Sequence, residues 1–359
     1  MANYYPDQTT ILPMTTIRRE RLLPEDVVGT VSVREDEHVN AMTVVARGVR
    51  ASRYVVLNLM DMLGVKDPET VETLVHVGPF EAFRQGQIIA GDEERGRALI
   101  RAPVTGIMTK LLEGRMIVQT GLQEVVLRAG FNGQVASLRG QRGVLLETTG
   151  ALVQGVWGNG REHFGVLHKE PEGGLATLEV DAFTAEWRGA IVLTTRPLVG
   201  LALRKAEAQG IGGIIAPSMH ADLREVALAL KMPIMLTEGF GDQRLSVMVS
   251  QVLEPCVGRQ VALNAVQPGR WSPDRPEVIV PLRSDRQVPA PARNEPLRVG
   301  SEVRITRAPF LGLVGKVTGL PKTPQVIENG LRLPVGTISL PSGRTVTVPL
   351  VNLELFGRG

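Results

Sequence analysis

The central part of the chain alternates between short apolar runs and segments with helical periodicity. Residues 190–195 and 211–216 have the composition of strands that are buried on both faces. Between them, Val199 to Gln209 has the spacing of a helix, and Gly210 follows at the usual capping position. This alternation predicts a small parallel-sheet α/β domain, which we place at residues 173–266.

Two more helices are expected in this domain. Ser218 is placed to cap a helix that reaches Leu230, and Gln243 to Leu253 again has helical spacing. The strand between these helices ends near Glu238, where open α/β sheets commonly bind ligands. Ser218, His220 and Glu238 are therefore candidates for a small-ligand cleft, with Ser218 and Glu238 at its lip, although a sharp turn explains the same residues equally well.

The first part of the chain repeats its pattern of alternating polar and apolar positions. Seven residues recur at a constant offset of 44: Val31, Val33, Glu37, Val39, Val44, Val45 and Ala46 return as Val75, Val77, Glu81, Phe83, Ile88, Ile89 and Ala90. A second pair of related hairpins begins at Gly106 and at Gly133. Such spacing predicts duplicated β units, and the apolar segment from Tyr4 to Leu23 is expected to add a strand.

The sharpest local pattern lies near the C-terminus. Val303 and Ile305 alternate with polar neighbours, as in a strand with one buried face. Gly312 and Gly315 allow the positive φ values and close approach that a tight hairpin needs. Residues 336–350 have the pattern of a second hairpin, so a small β barrel is predicted here.

This C-terminal segment resembles a KOW motif, which occurs in NusG-type transcription elongation factors and in some ribosomal proteins. The matching positions are Gly300, Val303, Arg304, Ile305, Pro309, Phe310, Gly312, Gly315 and Val317. The resemblance implies an SH3-like barrel over residues 297–359 that docks on protein or nucleic acid. Its implied binding surface comprises Arg304, Arg307, Phe310, Gly312, Gly315 and Lys316. Another small all-β barrel with similar turns is the alternative.

Residues 28–120 resemble the barrel-sandwich hybrid fold of biotinyl and lipoyl domains, chiefly at residues 83–90 and 102–108. Those carrier domains present a modified lysine in a Met-Lys-Met or Asp-Lys-Ala type of hairpin tip, and neither sequence occurs here. The nearest lysine, Lys110, follows an Ala-Pro-Val-Thr-Gly turn instead. The resemblance therefore implies a duplicated barrel-sandwich hybrid-like region over residues 1–172 that serves as a spacer or docking block.

Residues 218–235 are similar to the mobile phosphohistidine domain of phosphoenolpyruvate-utilising enzymes, where a Ser-His pair opens a helix that leads to an Ile-Pro strand. In this chain Met219 separates Ser218 from His220, and His220 is two residues too far from Pro233. The resemblance implies a swivelling α/β fold and, as a third functional hypothesis, a phosphoryl carrier that uses His220. An ordinary histidine at a helix N-terminus is the alternative.

Composition limits the class of protein. The 359 residues, 43% hydrophobic and 21% charged, suit two or three globular domains. A single cysteine, Cys256, excludes an internal disulfide framework and fits a reducing compartment. No apolar run approaches the roughly 20 residues that span a bilayer, and the first residues lack a secretory pattern. We therefore expect a cytoplasmic protein without membrane insertion.

Seven prolines fall within residues 267–296, which predicts an extended, semi-rigid linker between the α/β domain and the C-terminal barrel. Charge is also uneven along the chain. Residues 268–359 hold 13 Lys or Arg against 7 Asp or Glu, whereas acidic residues are in excess elsewhere. A basic end on an acidic body is typical of some polyanion-binding proteins, and it also keeps a linker solvated.

Together these patterns predict a multidomain, mainly β protein with one α/β domain. The preferred function is a non-catalytic binding or assembly protein that self-associates and docks on protein partners, with no cofactor, metal or catalytic set assigned. The alternative is a transcription- or translation-associated factor that binds nucleic acid through Arg304, Arg307 and Lys316.

Overall fold

The computed structural model describes residues 4–50, 53–92, 97–121, 123–175, 187–269, 274–284, 286–292 and 295–357. The chain is mainly β, with 47% strand and 13% helix arranged in several sheets. Among the described helices, none has the length and apolar character required to cross a membrane.

The N-terminal region consists of strands with two short helices. Its elements are β1 (Asp7–Leu22), β2 (Val27–Val31), β3 (His38–Val39), β4 (Val44–Arg50), β5 (Arg53–Asn58), α1 (Leu59–Leu63), α2 (Pro68–Leu74), β6 (Ala82–Phe83), β7 (Ile88–Asp92), β8 (Arg97–Arg101), β9 (Gly106–Leu112), β10 (Arg115–Thr120), β11 (Gln123–Arg128), β12 (Gly133–Leu138) and β13 (Gly143–Gln154).

The central region carries the remaining helices. Its elements are β14 (Trp157–Gly158), β15 (Arg161–Lys169), β16 (Ile191–Leu193), α3 (Gly200–Ala208), β17 (Gly213–Met219), α4 (Arg224–Ala229), β18 (Ile234–Phe240), α5 (Val247–Leu253), β19 (Gln260–Ala265) and β20 (Glu277–Pro281). The C-terminal strands are β21 (Glu302–Ile305), β22 (Val314–Gly319), β23 (Gln325–Val326), β24 (Arg332–Leu333), β25 (Val335–Ser339), β26 (Thr345–Pro349) and β27 (Leu353–Gly357).

The predicted repeat of 44 residues is confirmed by backbone hydrogen bonds. The N–H of Ser32 donates to the carbonyl of Val45, and the N–H of His76 donates to that of Ile89, both at 2.9 Å. Further equivalent bonds run from Arg34 N–H to Glu37 Oε2, from Gly78 N–H to Glu81 Oε2, from Thr43 N–H to Asn40 O and from Gln87 N–H to Arg84 O. Each copy therefore folds into the same turn.

The two copies are nested rather than consecutive. The first copy pairs with the later hairpin through β3 and β12, whereas the second pairs with the earlier one through β6 and β9. The second copy belongs to a unit, residues 53–120, whose buried cluster contains only residues of that unit. We call this unit the outer module.

One antiparallel ribbon links the outer module to the remainder of the chain. Strand β4 pairs with β11, and strand β5 pairs with β10. The register is the same in both pairs, since Arg50 lies opposite Gln123 in the first and Asn58 lies opposite Arg115 in the second. The named strands of the outer module pair only with one another.

The central region forms the predicted parallel sheet. Strands β15, β16, β17 and β18 pair in parallel, with α3 and α4 packed on one face and α5 on the other. Helix α3 is Gly200–Ala208, and Gly210 follows with a left-handed φ of 71°. The helix and its glycine stop are thus confirmed to within a residue at each end.

Two expected helix starts are wrong. Ser218 does not cap a helix, because it lies in β17, where every side chain is buried, and α4 begins only at Arg224. The third helix begins at Val247 rather than at Gln243. There Ser246 is the N-cap, and its Oγ accepts the N–H of Val249.

The predicted linker is also wrong in its middle part. Residues Glu277–Pro281 form β20, a buried strand that pairs with both β13 and β19. The run from Val278 to Val280 is apolar enough to enter the sheet, and Pro276 and Pro281 lie at its borders, where a missing N–H costs little.

The C-terminal residues 297–357, here called the C-terminal module, are not held away from the body. Strand β1, the extra strand expected at the N-terminus, pairs with β13 and also runs parallel to β27. Within the module, the two predicted hairpins are confirmed as β21–β22 and β25–β26. One continuous sheet consequently runs from β14 through β1 to β26.

Candidate functional site

A large cleft lies where the α/β region, strand β1 and the C-terminal module meet. Its volume is about 1880 Å³, which exceeds the roughly 300–1,000 Å³ of typical small-molecule pockets. The end of β18 supplies Glu238 and Phe240, and the turn after β21 supplies Arg307 and Gly312. The cleft is therefore a product of the packing between regions that are distant in sequence.

Arg304 and Glu238, predicted for two different sites, form one buried ion pair at this cleft. Arg304 Nη1 donates to Glu238 Oε2 at 2.7 Å and to the carbonyl of Thr237 at 3.0 Å. Arg304 Nη2 and Nε donate to Glu354 Oε2 at 2.5 and 2.9 Å. The three charged side chains are only 5%, 3% and 3% exposed, in the order Arg304, Glu238 and Glu354.

The pKa values of this network favour its charged form. Burial alone would lower the pKa of Arg304, but the carboxylates of Glu354 and Glu238 outweigh it and raise the pKa. Burial alone would raise the pKa of Glu354, but Arg304 and Arg275 outweigh it and hold that pKa below its usual value. Arg304 and Glu354 therefore both stay charged at neutral pH.

The network also ties strand β1 to the C-terminal module. Arg275 Nη1 donates to Glu354 Oε1 at 2.8 Å, and the hydroxyl of Thr9 contacts the same carboxylate oxygen. Two buried oxygens beside it, Glu238 Oε1 and Thr237 Oγ1, have no hydrogen-bond partner among the described residues. The arrangement fixes the position of β21 against β18 and β1, and it leaves two polar atoms for buried water.

Other arginines of the cleft are also paired. Arg19 makes two hydrogen bonds to Glu277, at 2.6 and 2.5 Å, and Arg21 makes two to Glu162, both at 2.8 Å. The hydrogen bonds from Arg21 lower the pKa of Glu162. Among the described residues, seven arginines and seven acidic side chains line the cleft, so it offers no net positive charge.

The six residues of the implied KOW surface do not form one exposed surface. Arg304, Arg307 and Gly312 line the cleft, where Arg304 is buried in the ion network, whereas Gly315 is buried within β22. Phe310 is half-buried and packs under Arg344, whose Cζ is 5.4 Å from the ring centre. Lys316 is exposed on β22, outside the cleft.

The three residues of the expected ligand cleft are likewise separated in role. Ser218 is fully buried, and its hydroxyl donates to the carbonyl of Gln243 at 2.8 Å. His220 is exposed and its Nε2 lies 2.9 Å from Asp242 Oδ1. Of the three, only Glu238 lines the large cleft.

Cys256 is buried, and its burial raises the pKa of the thiol, so the reactive thiolate is disfavoured. Within the described part of the chain, no three His, Cys, Asp or Glu side chains are grouped as metal ligands.

A second candidate surface lies on the outer module. Side chains of β5, β10 and β9 that point away from its core form a mixed sheet face. Three large apolar side chains are exposed there: Tyr54 at 63%, Val56 at 59% and Leu112 at 52%. The exposed side chains of Lys110 and Arg115 lie among them on the same face. Large exposed apolar side chains bordered by polar ones are typical of an interaction site.

The sequence patterns missed Glu354, Arg275 and Thr9 of the cleft network. Thr9 and Glu354 are 345 residues apart, and no local pattern relates them. A buried-strand pattern with an acidic residue inside it, as in β27, was the only available signal. Comparison with protein-family models and with curated proteins finds no match to this chain.

Proposed function

We propose that this chain is a non-catalytic binding and assembly protein that self-associates through its outer module. The observation that carries the proposal is the exposure of the large apolar side chains Tyr54 and Val56 on β5, an edge strand of this module. Contact between these side chains and a partner removes apolar surface from water, which is the main favourable term in protein association.

The architecture supports the same proposal. A module with its own core, attached by a two-stranded ribbon, is free to present one face without disturbing the large sheet. Its resemblance to barrel-sandwich hybrids without the modified lysine fits a docking block. The C-terminal module, which resembles a KOW domain, adds an exposed cation and apolar side chains at the cleft, namely Arg307, Leu311 and Val351, as a docking surface for protein.

The proposal is tested by removing the outer module. Arg50 and Gln123 are directly opposite in the ribbon, so a two-residue Asn-Gly turn can replace residues 51–122 and close a hairpin. Sedimentation should show the full chain above its monomer mass of 38.9 kDa at micromolar concentration, and the shortened variant at monomer mass. A full chain that stays monomeric at every concentration would refute the proposal.

Nucleic-acid binding is the second candidate, and it is favoured by the exposed Arg307 and Lys316. Two observations weigh against it: Arg304 is committed to buried carboxylates, and the cleft has balanced charge. If it is correct, affinity for RNA or DNA falls steeply with salt and falls again in the Arg307→Gln, Lys316→Gln variant. Unchanged binding by that variant would exclude this surface.

A further inference from the structure

The edge of β5 exposes unpaired backbone groups in a regular order. In an antiparallel ladder, alternate residues direct N–H and C=O toward the partner strand. The N–H of Leu59 donates to the carbonyl of Gly114 at 3.1 Å, which places the odd-numbered residues of β5 against β10. Tyr54, Val56 and Asn58 therefore direct their backbone groups away from β10, at the edge of the sheet β5-β10-β9-β6.

The same edge of the ribbon is covered along β4 but not along β5. Strand β2 pairs with β4, and its first residue, Val27, lies opposite Arg50. Within the described residues, no strand pairs with β5 on that side. The cover therefore ends where the outer module begins.

Several other edge strands carry features that discourage pairing, whereas β5 does not; β11, for example, has charges at Glu124 and Arg128 and a register shift near its end. Strand β2 contains Gly29 in its centre, β26 ends at Pro349, and β6 and β14 are two residues long. Strand β5 has six residues without glycine, proline or a bulge, and its only charge is Arg53 at one end. Proteins usually protect an edge of this type, so the exposure of β5 indicates that this edge pairs with a strand of another molecule.

We propose that β5 pairs antiparallel with β5 of a second copy of this chain, with Val56 on the two-fold axis. This inference rests on the proposed self-association and specifies its interface. The pairing would join two four-stranded sheets into one sheet of eight strands, and it would satisfy the backbone groups of Tyr54, Val56 and Asn58 in both copies.

The sequence of β5 is self-complementary in this register. Val56 faces Val56 of the second copy, Tyr54 faces Asn58, and the buried Leu57 faces Val55 on the core side. A register shifted by one residue would set the exposed Tyr54 opposite the buried Leu57 and would misalign the free backbone groups. The alternation of buried and exposed side chains and the positions of the free backbone groups therefore both select Val56 as the centre of the pairing.

Charge is complementary in this register as well. Arg53 lies opposite Leu59 of the second copy, where α1 begins, and the exposed Asp61 is two residues further on. The two-fold axis generates two such pairs, and each copy supplies Arg53 to one pair and Asp61 to the other. The strand contact is small compared with a standard interface of about 800 Å² per partner, so a weak, concentration-dependent dimer is expected.

A cysteine placed at the axis tests the geometry directly. In a hydrogen-bonded antiparallel pair the Cα atoms are about 5.5 Å apart, within the range of a disulfide. Mild oxidation of the Val56→Cys full-length variant should give a covalent dimer. The Val28→Cys variant, at the exposed apolar position of edge strand β2, should remain uncrosslinked, and the buried Cys256 does not compete.

Proline at the axis tests the hydrogen bonds. Val56→Pro removes two ladder bonds per dimer and should raise the dimer dissociation constant about tenfold or more in sedimentation, whereas Val28→Pro should not. Dimers that survive Val56→Pro, or that do not crosslink through Val56→Cys, would overturn the β5 pairing while leaving self-association in place. Dissociation by Val28→Pro alone would assign the interface to β2, and a monomeric wild type would overturn both proposals.

Discussion

Replacing Arg304 by methionine is the sharpest test of how the C-terminal module is held. The side chain bridges Glu354 within its own module and Glu238 at the end of β18. Methionine keeps the apolar stem but removes the guanidinium, so two buried carboxylates lose their shared cation. Glu354 retains Arg275 at 2.8 Å, whereas Glu238 Oε1 already lacks a partner.

The magnitude follows from burial. Breaking a buried ion pair by removing one partner costs about 3–5 kcal/mol, because the remaining charge is left uncompensated. Since Arg275 still compensates Glu354, the loss should come mainly from Glu238, and we expect the lower part of that range. Adding Glu238→Gln to Arg304→Met removes the uncompensated charge, so the double variant should be more stable than the single one.

Hydrogen exchange of the β21 amides is a suitable assay, because a chain with several cores need not unfold in one step. Arg304→Met should lower the opening free energy of Val303 and Ile305 more than that of β17. Lys316→Met, which removes an exposed cation from the adjacent strand, should change it by less than about 0.5 kcal/mol. Equal effects of the two substitutions, or a double variant weaker than the single one, would refute the reasoning.

Three further predictions concern stability. Phe80 has a left-handed φ of 65°, which glycine adopts without strain. The Phe80→Gly variant should therefore be about 1 kcal/mol more stable than the Phe80→Ala variant in denaturant titration, and equal unfolding midpoints would contradict this. Gly150→Ala should cost about 3 kcal/mol or more, because its Cβ would lie 1.9 Å from the carbonyl of Val280. Gly140→Ala, in open space but with a left-handed φ of 57°, should cost only about 1 kcal/mol. The lowered pKa of Glu354 stabilises the folded state above the unfolded pKa of about 4.3, and this stabilisation is lost as the pH falls through the folded pKa. Glu354→Gln should therefore reduce the loss of stability at acid pH in a plot of unfolding free energy against pH. An unchanged loss at acid pH would show that other groups dominate.

The local patterns predicted several elements closely. The 44-residue repeat appears as equivalent hydrogen bonds, and Gly210 stops α3 with a left-handed φ. Periodicity and turn residues act through neighbours in the chain, so a sequence pattern is enough to place such elements.

Local sequence patterns did not predict the strand within the linker or the burial of Arg304. Prolines at 276 and 281 are typical of a linker, yet they border a strand that the sheet accepts between β13 and β19. Arg304 has the sequence pattern of a surface cation in a hairpin, and its burial is made tolerable by Glu354 and Glu238, which are 50 and 66 residues away. Both the strand and the buried ion pair depend on contacts with residues that are distant in the sequence, so neighbouring residues do not predict them.

The sequence by itself determined the mainly β character, the duplicated turns, the α/β alternation and the C-terminal hairpins, because each depends on the period of apolar residues and on backbone freedom at glycine. Only the tertiary structure decided that the copies are nested, that β1 joins β13 to β27, and that no other strand in the described part of the chain covers the β5 edge. Strand pairing between distant segments is set by which apolar faces and charges can be buried together, and that choice depends on the whole chain at once.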